Sequence, residues 1–332
     1  MPCQLFKNRT KVSAVTEQTI ADLGEFGVIE AIRAIAPSAR NGDDAAVLTQ
    51  TTPNARFVAS TDMLVEHRHF RLDWSTPQQI GAKAAIQNFA DIESMGARPT
   101  AILFGISAPL STPVRVVTGI AEGLWQQGSQ CAAELVGGDV VSGDSLVISI
   151  TAMGELGGLS KPLLRSAAKP GDTFIASGRI GYSAAGLALL QACGGPDLVP
   201  ERFNRLVAAH CVPEFEYRRG ATARAAGART LTDNSDGFVV DTAAIAKASG
   251  VSVDIDGAAI APDELLRAAG DYLNADPWEW VLTGGEDHTL LGSIAGEPPH
   301  GFRRIGTVTR ARFDSVLIDG RPPANDSGWV SF

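Results

Sequence analysis

The stretch TPQQIGAKAAIQNFADIESMGA, residues 76–97, constrains the fold most. Thr76 is placed to cap a helix, Pro77 falls in the first turn where its missing N–H is harmless, and Gly96 stops the element. A strand, TAILFGIS, follows at once, and TPVRVVTGIAEGLWQQG then repeats the Thr-Pro helix start. Upstream, TIADLGEFGVIEAIRAIA has helical spacing with Leu23, Phe26 and Ile29 on one side, and ARFVASTDMLV reads as a strand running into a loop. AELVGGDVVSGDSLVISITAMGEL reads as strand, Gly-rich turn, strand. Helices alternating with strands require a sheet with helices packed on it, an α/β (α+β) architecture.

A break follows. GGLSKPLLRSAAKPGD, residues 157–172, is rich in Gly, Pro and Lys and has little periodicity, which places a domain boundary near residue 155. The expected domains are 1–154 and 155–332. The second half restarts with strand TFIASG and the small-residue helix GYSAAGLALLQA, then a helical stretch around EFEYRRGATARAAG. Strand ARTLTD, helix GFVVDTAAIAKASG and strand VSVDID come next, before strands near HTLLGSI, FRRIGTV and SVLIDG. The opening segment to about Lys11 reads as a disordered arm, and the two halves share no sequence repeat.

The formal net charge is −9 over 332 residues, which argues against binding to nucleic acid or an anionic membrane but admits an anionic small substrate reached through cations. No apolar run approaches the roughly 18 residues of a membrane span, and the N-terminus lacks a secretory apolar stretch. Cys3, Cys131, Cys193 and Cys211 are scattered and form no CxxC, so they read as free thiols of a cytoplasmic protein.

The common nucleotide and hydrolase signatures are absent: no Walker A loop, no G-x-G-x-x-G after a strand, no HExxH and no G-x-S-x-G. What recurs is aspartate at element ends beside glycine or a hydroxyl residue: GDDA (Asp43, Asp44), STD (Ser60, Thr61, Asp62), NFAD (Asp91), GGD (Asp139) and TDNSDG (Asp233, Ser235, Asp236). Taken singly, each is also ordinary turn chemistry. Together they suit hard cations such as Mg²⁺, which take one or two carboxylates each and complete their shell with water and phosphate oxygens. Arg165 is placed to reach a phosphate or to pair at the surface. His67 and His69 share a face if VEHRHF is extended. Glu286 follows two glycines in TGGED, and Trp329 in SGWVSF offers either a flat face or a tail anchor.

The order of these motifs is more specific than any one of them. GDDAAV, STDMLVExxHF, NFADIESMGA with Pro99 after it, GGD, LLRSxAKPGD, SDG, TGGED and a C-terminal GW together resemble the thiamine-monophosphate kinases, from about Leu23 to Trp329. The resemblance implies a PurM-like fold with a dimerising N-terminal domain, ATP as co-substrate, several Mg²⁺ ions, and conversion of thiamine monophosphate to thiamine diphosphate. It assigns metal binding to Asp44, Ser60, Thr61, Asp62, Asp91, Asp139, Asp233 and Asp236, with no catalytic residue beyond these ligands. It places Gly138, Asp139, Arg165 and Ser235 at ATP, and His69, Glu286 and Trp329 at the substrate. It also implies a homodimer.

Three departures fall on fine contacts: NFAD for N-L-S-D, His288 and Thr289 after GGED, and GWVSF for GW-x-H-F. An aminoimidazole ribonucleotide synthetase-like enzyme of the same fold fits the series less well. So does a silent nucleotide- or metal-binding protein, because the metal aspartates are kept.

Overall fold

The computed structural model describes residues 17–41, 45–158, 161–325 and 327–328. The first half runs α1 (Ile20–Ile35), β1 (Arg56–Val65), α2 (Pro77–Ser94), β2 (Arg98–Ala108), α3 (Val114–Cys131), β3 (Glu134–Ser142) and β4 (Val147–Leu156). Its strands form one sheet in the order β1-β4-β2-β3. β4 runs antiparallel to both β1 and β2, whereas β2 and β3 are parallel and joined through α3, as a parallel pair requires.

Thr76 caps α2 as the sequence predicts. Its Oγ1 accepts from Gln79 N (3.2 Å), and Gln79 Oε1 accepts from Thr76 N (2.8 Å). α2 and α3 cross at backbone contact: a Cβ on Gly81 would sit 2.0 Å from Ile120 O, and one on Gly123 2.0 Å from Gln78 O. The buried face of α1 is Ile20, Val28 and Ile32, with Leu23 and Ile29 packed beside it. Phe26, expected on that face, is 83% exposed. The reason is Gly24, whose left-handed φ of 65° breaks the helical register between the first turn and the rest.

The second half contributes β5 (Thr173–Ser177), α4 (Tyr182–Cys193), α5 (Asn204–Cys211), α6 (Arg219–Ala225), β6 (Ala228–Asp233), α7 (Phe238–Ser249), β7 (Val251–Ile255), α8 (Gly257–Ile260), α9 (Glu264–Leu273), α10 (Pro277–Thr283), β8 (Leu290–Ile294), β9 (Phe302–Arg310) and β10 (Val316–Ile318). The six strands order as β10-β7-β9-β5-β8-β6, antiparallel except for the β10–β7 pair. Each half has its own apolar core.

The halves are keyed together through α2. Glu93, 1% exposed, accepts from Arg218 N (2.8 Å) and Gly220 N (2.7 Å), so a carboxylate of the first half caps α6 of the second. Tyr217 stacks edge-on against Phe89 with ring centroids 6.0 Å apart. Trp74 packs in the opposite direction, against the second core.

Candidate active site

A cleft of about 1260 Å³ opens where edge strands β1 and β6 approach α2. Thr61, Asp62, His69, Asp91, Asp233, Ser235, Asp236 and Glu286 all line it.

The STD motif lies inside β1 rather than in a loop. The two-residue period of a strand puts Ser60 and Asp62 on the face toward α2 and turns Thr61 away. Ser60 Oγ donates to Asp91 Oδ2 (2.5 Å), while Thr61 Oγ1 donates to Ile150 O (2.9 Å). Asp91 itself lies in the last turn of α2, where its carbonyl accepts from the capping Met95 N.

From the second half, Asp233 ends β6, and the TGGED segment runs beside it. Asp233 pairs in register with Leu290; Glu286 N donates to Ser235 O (2.9 Å) and His288 N to Asn234 O (3.0 Å). Gly285 is required for this approach, since a Cβ there would meet Ser235 O at 2.1 Å. Asp287 turns away from the cleft and accepts from Gly181 N (2.5 Å) and Ser183 N (2.8 Å), capping α4.

Four carboxylates thus face one another from two halves, and their ionisation shows the strain. Burial, then Asp233, pushes Asp91 up to about 7. Burial and Asp233 also raise Asp62 and Asp236. The local counter-charge is His288, buried, with Nδ1 2.9 Å from Asp233 Oδ2. Burial opposes its protonation, but the contact with Asp233 outweighs that and raises its pKa. Sequence reasoning noted His288 only as a departure; a histidine following Glu-Asp in a Gly-rich segment carries no signal of its partner.

Arg165 lies outside the cleft lining. Its Nε donates to Thr232 Oγ1 (3.1 Å), next to Asp233, and its charge opposes the rise of Asp236. Gly138 and Asp139 are not brought to the cleft in the single chain. They lie on edge strand β3, where Asp139 Oδ1 accepts from Val140 N (3.0 Å). Gly138 has a packing reason of its own, because a Cβ would stand 1.9 Å from Phe104 O. Asp44 and Trp329 fall outside the described residues.

The His67–His69 segment is a turn, not an extended strand. His67 takes a left-handed φ of 66°, and His69 Nδ1 accepts from Val65 N (3.0 Å), which puts the proton of the neutral ring on Nε2. Burial lowers the His69 pKa and favours that neutral form. Cys131, Cys193 and Cys211 are free thiols, and among the described residues no helix is long and apolar enough to cross a membrane.

The carboxylates and hydroxyls facing the cleft suit a hard divalent cation, with histidines beside them; among the described residues no three acidic, histidine or cysteine side chains close on one point.

The chain is similar to several known proteins. Residues 42–156 match a domain family described as AIR synthase related protein, N-terminal domain. The thiamine-monophosphate kinase of Corynebacterium glutamicum is 57% identical over 315 residues, 95% of each chain. That of Mycobacterium tuberculosis is 45% identical over 325 residues, 96% of this chain and 95% of the relative. Among solved structures, the thiamine-monophosphate kinase of Stenotrophomonas maltophilia superposes with a TM-score of 0.78 at 28% identity, covering 90% of this chain and 98% of the other. "AaThiL complexed with AMPPCP and TMP" superposes at 0.77 and 27% identity, covering 96% and 100%. Sequence relatives over nearly the whole length and a shared fold lead to one conclusion: this chain belongs to the thiamine-monophosphate kinase family.

Proposed function

We propose that the chain moves the γ-phosphoryl group of ATP directly onto the phosphate of thiamine monophosphate, giving thiamine diphosphate and ADP, the last step in making thiamine diphosphate. The observation that carries this reading is the convergence of Asp62 and Asp91 with Asp233 and Asp236 on one cleft. Such a cluster is costly alone and becomes favourable only against bound cations and the phosphates they bridge.

An oxygen of the acceptor phosphate forms the new bond to the γ-phosphorus as the bond to the β,γ-bridging oxygen breaks and ADP leaves. With a second pKa of about 6, that phosphate is already ionised at neutral pH. No general base is then required, and no phospho-enzyme forms. Asp62, Asp91, Asp233 and Asp236 would hold Mg²⁺, with Asp44, Ser60, Thr61 and Asp139 as further ligands of the full site. When bound, Mg²⁺ neutralises phosphate charge and acts as a Lewis acid. The chain's own residues align the two substrates. Arg165, Ser235 and Gly138 serve ATP, and His69, Glu286 and Trp329 serve thiamine monophosphate.

The two sheets and separate cores support a division into two domains near the expected bounds 1–154 and 155–332, with β4 carrying the first domain on to Leu156. A homodimer belongs to the same reading. On the sheet face away from α2 and α3, Phe57, Met63, Leu103 and Val141 are 54%, 57%, 37% and 49% exposed, and Asp139 shares that face. A second copy of the sheet would cover them.

Product analysis with ATP, Mg²⁺ and thiamine monophosphate tests the activity. Equal amounts of thiamine diphosphate and ADP are expected; ADP with free phosphate and no thiamine diphosphate would refute it.

A further inference from the structure

Two nearly buried side chains at the substrate end of the cleft take no part in the transfer described above. Lys83, on α2, is 3% exposed, and His210, on α5, is 7% exposed. Lys83 Nζ donates to His69 O (3.1 Å) and to Glu286 Oε2 (3.2 Å). His210 Nδ1 lies 3.7 Å from the same Oε2 and 3.2 Å from Ser183 Oγ. A buried ammonium is tolerated only when paired, so this lysine is committed to its two partners. Those partners are the two described residues assigned to thiamine monophosphate.

Glu286 is fixed at its backbone as well. Its φ of 60° is left-handed, its N–H is bonded to Ser235 O, and Gly285 is pressed on the same carbonyl. Its side chain is about a third exposed (32%) and lines the cleft. The Lys83 hydrogen bond and the nearest approach of His210 both use Oε2; among the described residues Oε1 takes no hydrogen bond. One oxygen is therefore anchored and the other is presented.

We propose that Lys83, backed by His210, is the positioning residue for the substrate end of the cleft: it ties the His69 turn to one oxygen of Glu286, so that the other oxygen is a fixed acceptor for an N–H donor on the heteroaromatic part of the substrate. The inference rests on the function proposed above, since the exocyclic amine of the thiamine pyrimidine is such a donor. Lys83 acts through Glu286 and does not touch the substrate.

The test uses the full-length protein and calorimetric binding of thiamine monophosphate and, separately, of a non-hydrolysable ATP analogue, with turnover measured in parallel. Lys83→Met is expected to weaken thiamine monophosphate binding about tenfold, the scale of one charge-assisted hydrogen bond lost. Binding of the ATP analogue stays within about twofold, Lys83→Arg restores part of the loss, and in a Glu286→Gln background Lys83→Met adds little further loss. The Lys83→Met/Glu286→Gln pair removes both charges together and keeps the comparison available if Lys83→Met alone fails to fold. Equal weakening of both ligands, or a full additional loss in the Glu286→Gln background, would show a structural tie only and overturn the proposal. Absence of thiamine diphosphate from the unaltered enzyme would instead refute the proposed activity, while the binding comparison would still decide the role of Lys83.

Discussion

Among the cleft aspartates Asp91 is under strong electrostatic stress, and it shows what the site exchanges for function. Its carboxyl is pushed up to about 7 by burial and Asp233, so holding it ionised at neutral pH destabilises the fold. Asp91→Asn in metal-free buffer is expected to raise stability by about 1 kcal/mol, while lowering kcat at least about a hundredfold with Mg²⁺ present. Thermal melts and turnover check the two effects. His210 gives a pH signature of the opposite origin. Burial, with Lys83 nearby, lowers its pKa to about 3, against an ordinary 6.5 in the unfolded chain. The unfolded state therefore binds the proton first, and stability falls as pH drops below about 6.5. Between pH 7 and 5 the native protein should lose about 2 kcal/mol more than His210→Asn, measured by denaturant unfolding of both. The residues of the acidic cluster were legible because each sits in a short motif whose order is distinctive. Lys83 was not. In GAKAAIQN it looks like any solvent-facing lysine, and its partner Glu286 is 203 positions away.

The helices α2 and α3 carry the first half, and their contact depends on two absent side chains. Gly81→Val or Gly123→Val would drive a side chain into a backbone carbonyl only 2.0 Å from the Cβ position. A loss of about 3 kcal/mol is expected on denaturant unfolding, with the active-site carboxylates untouched. Glu93→Ala removes the acceptor for two α6 amides across the halves and should cost about 2 kcal/mol. At this scale, capping and periodicity identified α2, β1, β2 and the strands of the second sheet. Two things were harder to read. Gly24 rotates the face of α1, which no average over the helix reveals. In residues 257–289 the elements are short, four residues in α8 and seven in α10, so little period develops outside α9; the aspartates Asp256, Asp263 and Asp276, whose carboxylates cap α8, α9 and α10, are the signals that mark the starts.

In the whole molecule, the site exists because two sheets meet edge strand to edge strand across α2, a relation between residues 62 and 233 that local pattern does not contain. The motif order conveyed it only through resemblance to a family whose fold is known. The exposed sheet face makes a further demand. Val141→Lys should shift the sedimentation equilibrium toward monomer by at least about tenfold in the association constant, without loss of secondary structure by circular dichroism. Asp139, on the same face, is the proposed ligand whose place would depend most on such an assembly. In the proposed reaction the cleft passes the γ-phosphoryl group from ATP to thiamine monophosphate in one direct displacement. The most direct measurement is the stereochemical course with ATP made chiral at the γ-phosphorus. Inversion at that phosphorus in the thiamine diphosphate product is the predicted result. Retention, signalling two successive transfers through the enzyme, would rule out direct transfer.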